Sequence, residues 1–302
     1  MHSLAIVSAF FAMASAHGVV LSVEGANGVT MPGLSIADGT PRDCSSNRCG
    51  SQADTSIIRD REIRSGEASA LGRTQGNGPV DASVMISSFL GSGNASNVPT
   101  NNGTESAAGV EDDLSNLPKG NNNNNNNRRR QLGNLLGGLF GGGRGGGGEK
   151  TETAEETSVA ASAGEGATKG LPTASDNGEV TMTFRQINQD GAGPMTADID
   201  ATSGGTDPDA FQTAEVTQDV PGIGIQGLSL ATNTDFPLKV QMPQGMTCEG
   251  SVGGANNVCI VRVRNGAAAG PFGGSGAFTQ SATARKRAIA FRLKKRMEIV
   301  RY

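Results

Sequence analysis

Residues 121–127 are seven consecutive asparagines, Arg128, Arg129 and Arg130 follow at once, and the chain continues QLGNLLGGLFGGGRGGGG before a Glu/Thr/Ala stretch. Such a run has almost nothing to bury, and glycine loses the most conformational freedom on ordering. The span 92–172 therefore reads as a long disordered low-complexity insert. Leu132, Leu135, Leu136, Leu139 and Phe140 have helical spacing inside it, but a flexible insert without a binding role is the preferred reading. Any core must then be assembled from 17–91 and 173–284, which meet across the gap. With 45 glycines, no Trp, one Tyr and 10 Phe, the chain has material for one compact domain rather than two.

The flanking segments carry a period of two. His17–Glu24 reads as an opening strand with Val19, Leu21 and Val23 on one face. Glu179–Asn188 alternates Val180, Met182 and Phe184 with Thr181, Thr183 and Arg185, the pattern of a half-buried strand. Further strands are predicted at Phe211–Asp219, Phe236–Met242 and Val258–Arg264, with a glycine-rich turn and a last short strand in 269–280. One short helix is predicted over 79–90, with Pro79 and Asp81 in its first turn and Gly91 ending it. Short strands separated by turn signals predict a mostly β fold, an antiparallel β-sandwich of Ig-like or monooxygenase-like type. The segment 285–302 reads as a basic tail, either helix or disorder.

The N-terminus sets the compartment. Leu4–Met13 is apolar, too short to span a bilayer, and ends in Ala14-Ser15-Ala16. Residues 1–16 are thus a predicted signal peptide and His17 the mature N-terminus. No transmembrane segment is expected later in the chain. Export makes disulfides of the four cysteines the expected state. Three pairings are open. The local ones, Cys44–Cys49 and Cys248–Cys259, are favoured because each brackets a short Gly/Ser/Asn-rich loop, and free thiols are the alternative. Asn94 and Asn102 open N-glycosylation sequons. Basic clusters ending at Arg130, Arg287 and Arg296 are candidate processing sites. From Arg285 onward eight Lys/Arg face one Glu, so a basic tail follows an acidic body. That distribution argues against nucleic acid as partner and points the tail toward an anionic surface.

His17 is the sharpest candidate for chemistry. At a mature N-terminus its amine and imidazole together offer Cu(II) two nitrogens. A β-sandwich that begins with His resembles the fungal lytic polysaccharide monooxygenases, yet the mature chain has no second histidine. A carboxylate such as Asp198, Asp200 or Asp219 has to complete the site. Other catalytic sets lack material: with one His and no suitable thiol pair a Ser-His-Asp or Cys-His triad has little to draw on, and the carboxylate pairs come without sugar-stacking aromatics. No catalytic residue is assigned. The default is no cofactor, with copper as the alternative.

Four blocks carry a resemblance: HGVVLSVEGANG; MPGLSIADGTPRDCSSNRCGSQADTSIIRDREI; LGRTQGNGPVDASVMISSFLG; and CIVRVRNGAAAGPFGGSGAFTQS with its RKRAI tail. They are similar to the Egh16-like fungal virulence factors, the appressorium-associated MAS or GAS proteins, over roughly 17–91 and 172–290. The resemblance implies a secreted or cell-surface virulence factor aiding host penetration, non-enzymatic or of unknown activity, with retention inside the appressorium as the alternative location. Cell-wall or host polysaccharide is the candidate partner for such a factor. The alternative function is a copper-dependent polysaccharide oxidase anchored at His17. The Asn/Arg/Gly insert departs from the family pattern.

Overall fold

Val180, Met182 and Phe184 alternate toward one side of their strand and are all buried, and that side is where the main core forms. A computed structural model describes residues 17–45, 49–92, 99–101, 148–150, 153–189, 191–222, 227–267 and 270–299. The signal-peptide segment, both sequons and the Arg130 cluster lie outside the described residues.

The strands are β1 Gly18–Glu24, β2 Thr30–Pro32, β3 Ser56–Ile57, β4 Arg73–Thr74, β5 Gly78–Pro79, β6 Glu149–Lys150, β7 Thr173–Ala174, β8 Glu179–Gln186, β9 Thr196–Asp200, β10 Phe211–Gln218, β11 Thr234–Gln241, β12 Gly250–Val252, β13 Ala255–Arg264 and β14 Phe272–Gln280. They form one large sheet in the order β2-β1-β8-β11-β10-β9-β13-β14-β3-β4-β5. All pairings are antiparallel except β14 with β7. The fold is mostly β, as the sequence predicts.

β10 is the corner of this sheet. Its first half, Phe211–Ala214, pairs with β9, and its second half, from Glu215, pairs with β11. A register shift between Val216 and Gln218 accompanies the change of partner, the usual means by which a strand passes between layers. The layer β1-β8-β11 thereby folds over β9-β13-β14. Val20, Met182, Phe184, Leu238, Ile199, Val261 and Phe278 meet between them in a single cluster. Glycine lets the layers close: a Cβ on Gly276 would collide with Val23, and one on Gly274 would press on Val20. The backbone itself ties the layers where Leu34 donates to the Ser275 carbonyl at 2.9 Å.

β13 is buried on both faces. Cys259, Val261 and Val263 serve the inter-layer core, while Val258 and Ile260 join a second cluster with Met31, Leu71, Met85 and Phe89. That second cluster is roofed by helix α2, Ala82–Phe89. The helix starts three residues later than the sequence predicts. Pro79 belongs to β5, and Asp81 is instead the N-cap, accepting from Ser83 N at 2.8 Å. β1 also departs from strict alternation. A bulge between Val20 and Ser22 turns Val20 and Val23 to the inter-layer core while Val19 joins the second cluster.

The described residues hold more helix than the one predicted. Besides α1 Asp60–Ser65 there are α3 Ser158–Ser162 and α4 Gly166–Lys169, both within the span read as insert. Val159 and Leu171 are buried in the second cluster, so the C-terminal part of that span, 153–172, packs on the body. Two apolar side chains separated by polar and small residues give too weak a pattern to reveal this. Residues 102–147, which hold the Asn/Arg/Gly run, lie outside the described residues. The basic tail is helix α5, Ala282–Ile299. No described helix is long and apolar enough to cross a membrane.

Candidate functional site

His17 stands at the start of β1, where that strand enters the pairing with β8. Its carbonyl accepts from Ile187 N at 2.9 Å. Its backbone N donates to Asn188 Oδ1 at 2.6 Å, and Asn188 Nδ2 lies 3.4 Å from its ring Nδ1. The imidazole centroid is 4.4 Å from that of Phe272, tilted by 37°. The whole residue is buried, at 0% exposure. A Cβ on Gly191 would collide with the His17 carbonyl, so the glycine is what allows the following loop to close over it.

The ring is stacked against an aromatic face within the body, the backbone nitrogen is already engaged by an amide oxygen, and the described residues contain no group of three His, Cys, Asp or Glu able to hold an ion. The carboxylates named as third ligands are committed elsewhere. Asp198 pairs with Arg262 at 3.0 Å. Asp200 accepts from Thr202 N, Ser203 N and Gly205 N at 2.8, 2.9 and 2.6 Å, organising the turn after β9. Burial would raise the Asp200 pKa, but the hydrogen bonds from Ser203, Thr202 and Gly205 outweigh it and hold the carboxyl below its ordinary value. Asp219 accepts from Met195 N at 3.1 Å and Val220 N at 2.7 Å. There burial prevails and pushes the pKa up.

A second polar constellation, not singled out by the sequence, lines a cleft of about 230 Å³ beside Leu21. Arg42 grips Asp54 with both terminal nitrogens, at 3.1 and 2.5 Å, and reaches Glu156 at 2.9 Å. Arg185, 1% exposed, pairs with Asp235 at 2.9 Å and donates through Nη2 to the Arg42 carbonyl. The sheet sets this up: Arg185 and Asp235 are directly opposite in the β8–β11 register. α3 brings the rest, because Glu156 precedes it and accepts from Ser158 N at 3.0 Å. Burial lowers the pKa of both arginines. For Arg42 the attraction of Asp54 and Glu156 overcomes that and raises it. For Arg185 burial, aided by repulsion from Arg42, exceeds the pull of Asp235 and lowers it. Glu156 is held below its ordinary value, since Arg42 and Ser158 outweigh its own desolvation.

Chemically, Arg42 is paired with Asp54 and Glu156 and Arg185 with Asp235, while the Glu155 carboxylate that also lines the cleft is exposed. Its lining residues include no cysteine or histidine, and their hydroxyl groups are those of Thr153, Thr157 and Ser158. What it offers is a fixed mixture of donors and acceptors able to hold a polar ligand. Arg42 and Asp54 lie in one of the quoted blocks, but Glu156 is 102 residues beyond Asp54, so only the fold could bring the three together. Elsewhere the two local disulfides are present: Cys44–Cys49 with Cα atoms 6.5 Å apart, and Cys248–Cys259 at 5.0 Å. The second lies in the inter-layer core.

A family model described as Egh16-like virulence factor matches residues 15–273. An appressoria-specific virulence factor, GAS2, of Pyricularia oryzae strain 70-15 is 54% identical over 295 residues, covering 97% of this chain and 94% of that protein. A second, GAS1 of the same fungus, is 40% identical over 134 residues, 43% of this chain and 52% of its own. No solved structure matches.

Proposed function

This chain belongs to the Egh16-like virulence factor family, and we propose that it is an exported or cell-surface virulence factor of the appressorium that aids host penetration by binding wall or host polysaccharide, without a catalytic step of its own. The carrying observation is the 54% identity, across nearly the whole of both chains, to a protein named as an appressoria-specific virulence factor. Export is supported by the two disulfides, which persist in oxidising compartments, and by the apolar leader ending in Ala14-Ser15-Ala16. Binding rather than catalysis is supported by the enclosure of His17 and by the mutual pairing of the charges in the cleft.

The test is co-sedimentation of the natively secreted protein with insoluble β-glucan, cellulose and chitin, with and without added copper and a reductant, followed by analysis of soluble sugars. The expected outcome is saturable retention on at least one polymer, unchanged by copper, and no new oligosaccharides. Release of oxidised oligosaccharides that depends on copper would overturn the non-enzymatic reading. Failure to bind all three polymers would overturn the polysaccharide partner.

A further inference from the structure

α5 has two faces of opposite use. The inner face docks on the sheet edge. Ala284 and Ala288 are buried, and three arginines anchor it: Arg285 to the Cys248 carbonyl at 3.0 Å, Arg287 to the Asp176 carbonyl at 3.0 Å, and Arg292 to Thr247 Oγ1 at 2.9 Å. The outer face does something else. Ile289, Leu293 and Met297 fall at four-residue spacing, one stripe of a helix, and are 39%, 54% and 61% exposed. Lys286 and Arg296 fall within the arc of the stripe and Lys294 beside it; all three are exposed and make no ion pair among the described residues. Apolar side chains this exposed in a helix that is otherwise anchored mark a contact surface.

We infer that the outer face of α5 lies on an anionic phospholipid bilayer, with Ile289, Leu293 and Met297 entering the headgroup–acyl boundary and the surrounding cations on the lipid phosphates. Charge complementarity is the first argument: exposed apolar side chains interleaved with Lys and Arg meet both the acyl boundary and the phosphates of an anionic bilayer. The apolar stripe excludes a purely polyanionic polymer as the better occupant, since such a polymer offers nothing to bury it in. The inner-face anchors argue against a partner that wraps around the first half of the helix, where Ala284 and Ala288 are buried. A flat surface reaches the outer face alone. The helix lies on the bilayer and does not span it. The inference is independent of the polysaccharide reading above.

The test uses the full mature chain and sedimentation with phosphatidylcholine vesicles, with and without phosphatidylserine. Binding is expected only when phosphatidylserine is present. It is expected to weaken by at least tenfold when salt is raised from about 0.1 M to about 1 M, as the screening length falls from about 10 Å to about 3 Å. The double variants Leu293→Gln/Met297→Gln and Lys286→Gln/Lys294→Gln are each expected to lower partitioning on the order of tenfold. All four side chains are exposed, so the variants keep the parent's melting curve. Equal binding to neutral vesicles, no binding to anionic ones, or wild-type binding by both variants overturns the inference. If only the lysine variant loses binding, the face reads charge without lipid, and the bilayer assignment likewise fails.

Discussion

Arg42 and Arg185 on one side of the molecule, and the cations of α5 on the other, are the same chemistry under opposite conditions. Arg42 is 3% exposed and clamped by Asp54 and Glu156. Arg185 is 1% exposed, paired with Asp235 and bonded to the Arg42 carbonyl. Lys294, Lys295 and Arg296 stand in solvent. A buried cation without its partners is costly, so inside the body charge is fixed and becomes architecture. On α5 the charge costs nothing to leave free, and it stays available for contact with something else. Where charges sit, rather than how many there are, separates what holds this protein together from what it presents.

The largest effect is expected from breaking the buried side. Asp54→Ala removes the bidentate partner and leaves buried Arg42 with Glu156 alone, and is predicted to cost about 3 kcal/mol of stability, read by urea denaturation. A loss below about 1 kcal/mol would mean that the cleft is wetter than its burial indicates and would erase the contrast with α5. A control without charge comes next. Replacing Cys248 and Cys259 together by Ala opens the cross-link between residues 11 apart and is predicted to cost about 2–4 kcal/mol.

Acid sharpens the comparison further. Glu156 has a folded pKa below its ordinary 4.5, because Arg42 and Ser158 outweigh burial. A lowered carboxylate contributes stability that is complete above the unfolded value and is lost as pH falls through the folded one. Stability is therefore expected to decline from about pH 4.5 downward, and Glu156→Gln to flatten that decline while lowering stability at neutral pH. A variant whose acid profile matched the parent would remove Glu156 from the network. The smallest effect belongs to the exposed side: Lys294→Gln is predicted to shift stability by less than about 0.5 kcal/mol.

The sequence made the body of the fold readable wherever one face of a strand was wet. Val180, Met182 and Phe184 announced β8, and Val258–Arg264 announced β13. β9 was missed because it is only five residues long and two of them, Asp198 and Asp200, look like surface. Their partners, Arg262 and the turn amides of 202–205, lie elsewhere in the fold or in backbone that sequence pattern does not describe. Pro79 was read as a helix start because it suits one, although the N-cap duty falls to Asp81. The local disulfide pairing was legible from loop length. His17 was legible as the singular residue of the N-terminal strand, but its enclosure depends on Asn188, Gly191 and Phe272, and no spacing rule reaches that far. The Arg42–Asp54–Glu156 cluster was invisible for the same reason.

The account rests on an exported chain whose oxidised body works beyond the cytosol. Its most direct test is N-terminal sequencing and thiol counting on the protein recovered from infection structures and from their surrounding medium. The account predicts material outside the cells that begins at His17 and has no titratable thiol. Protein confined to the cells, beginning at Met1 and carrying four free cysteines, would contradict it.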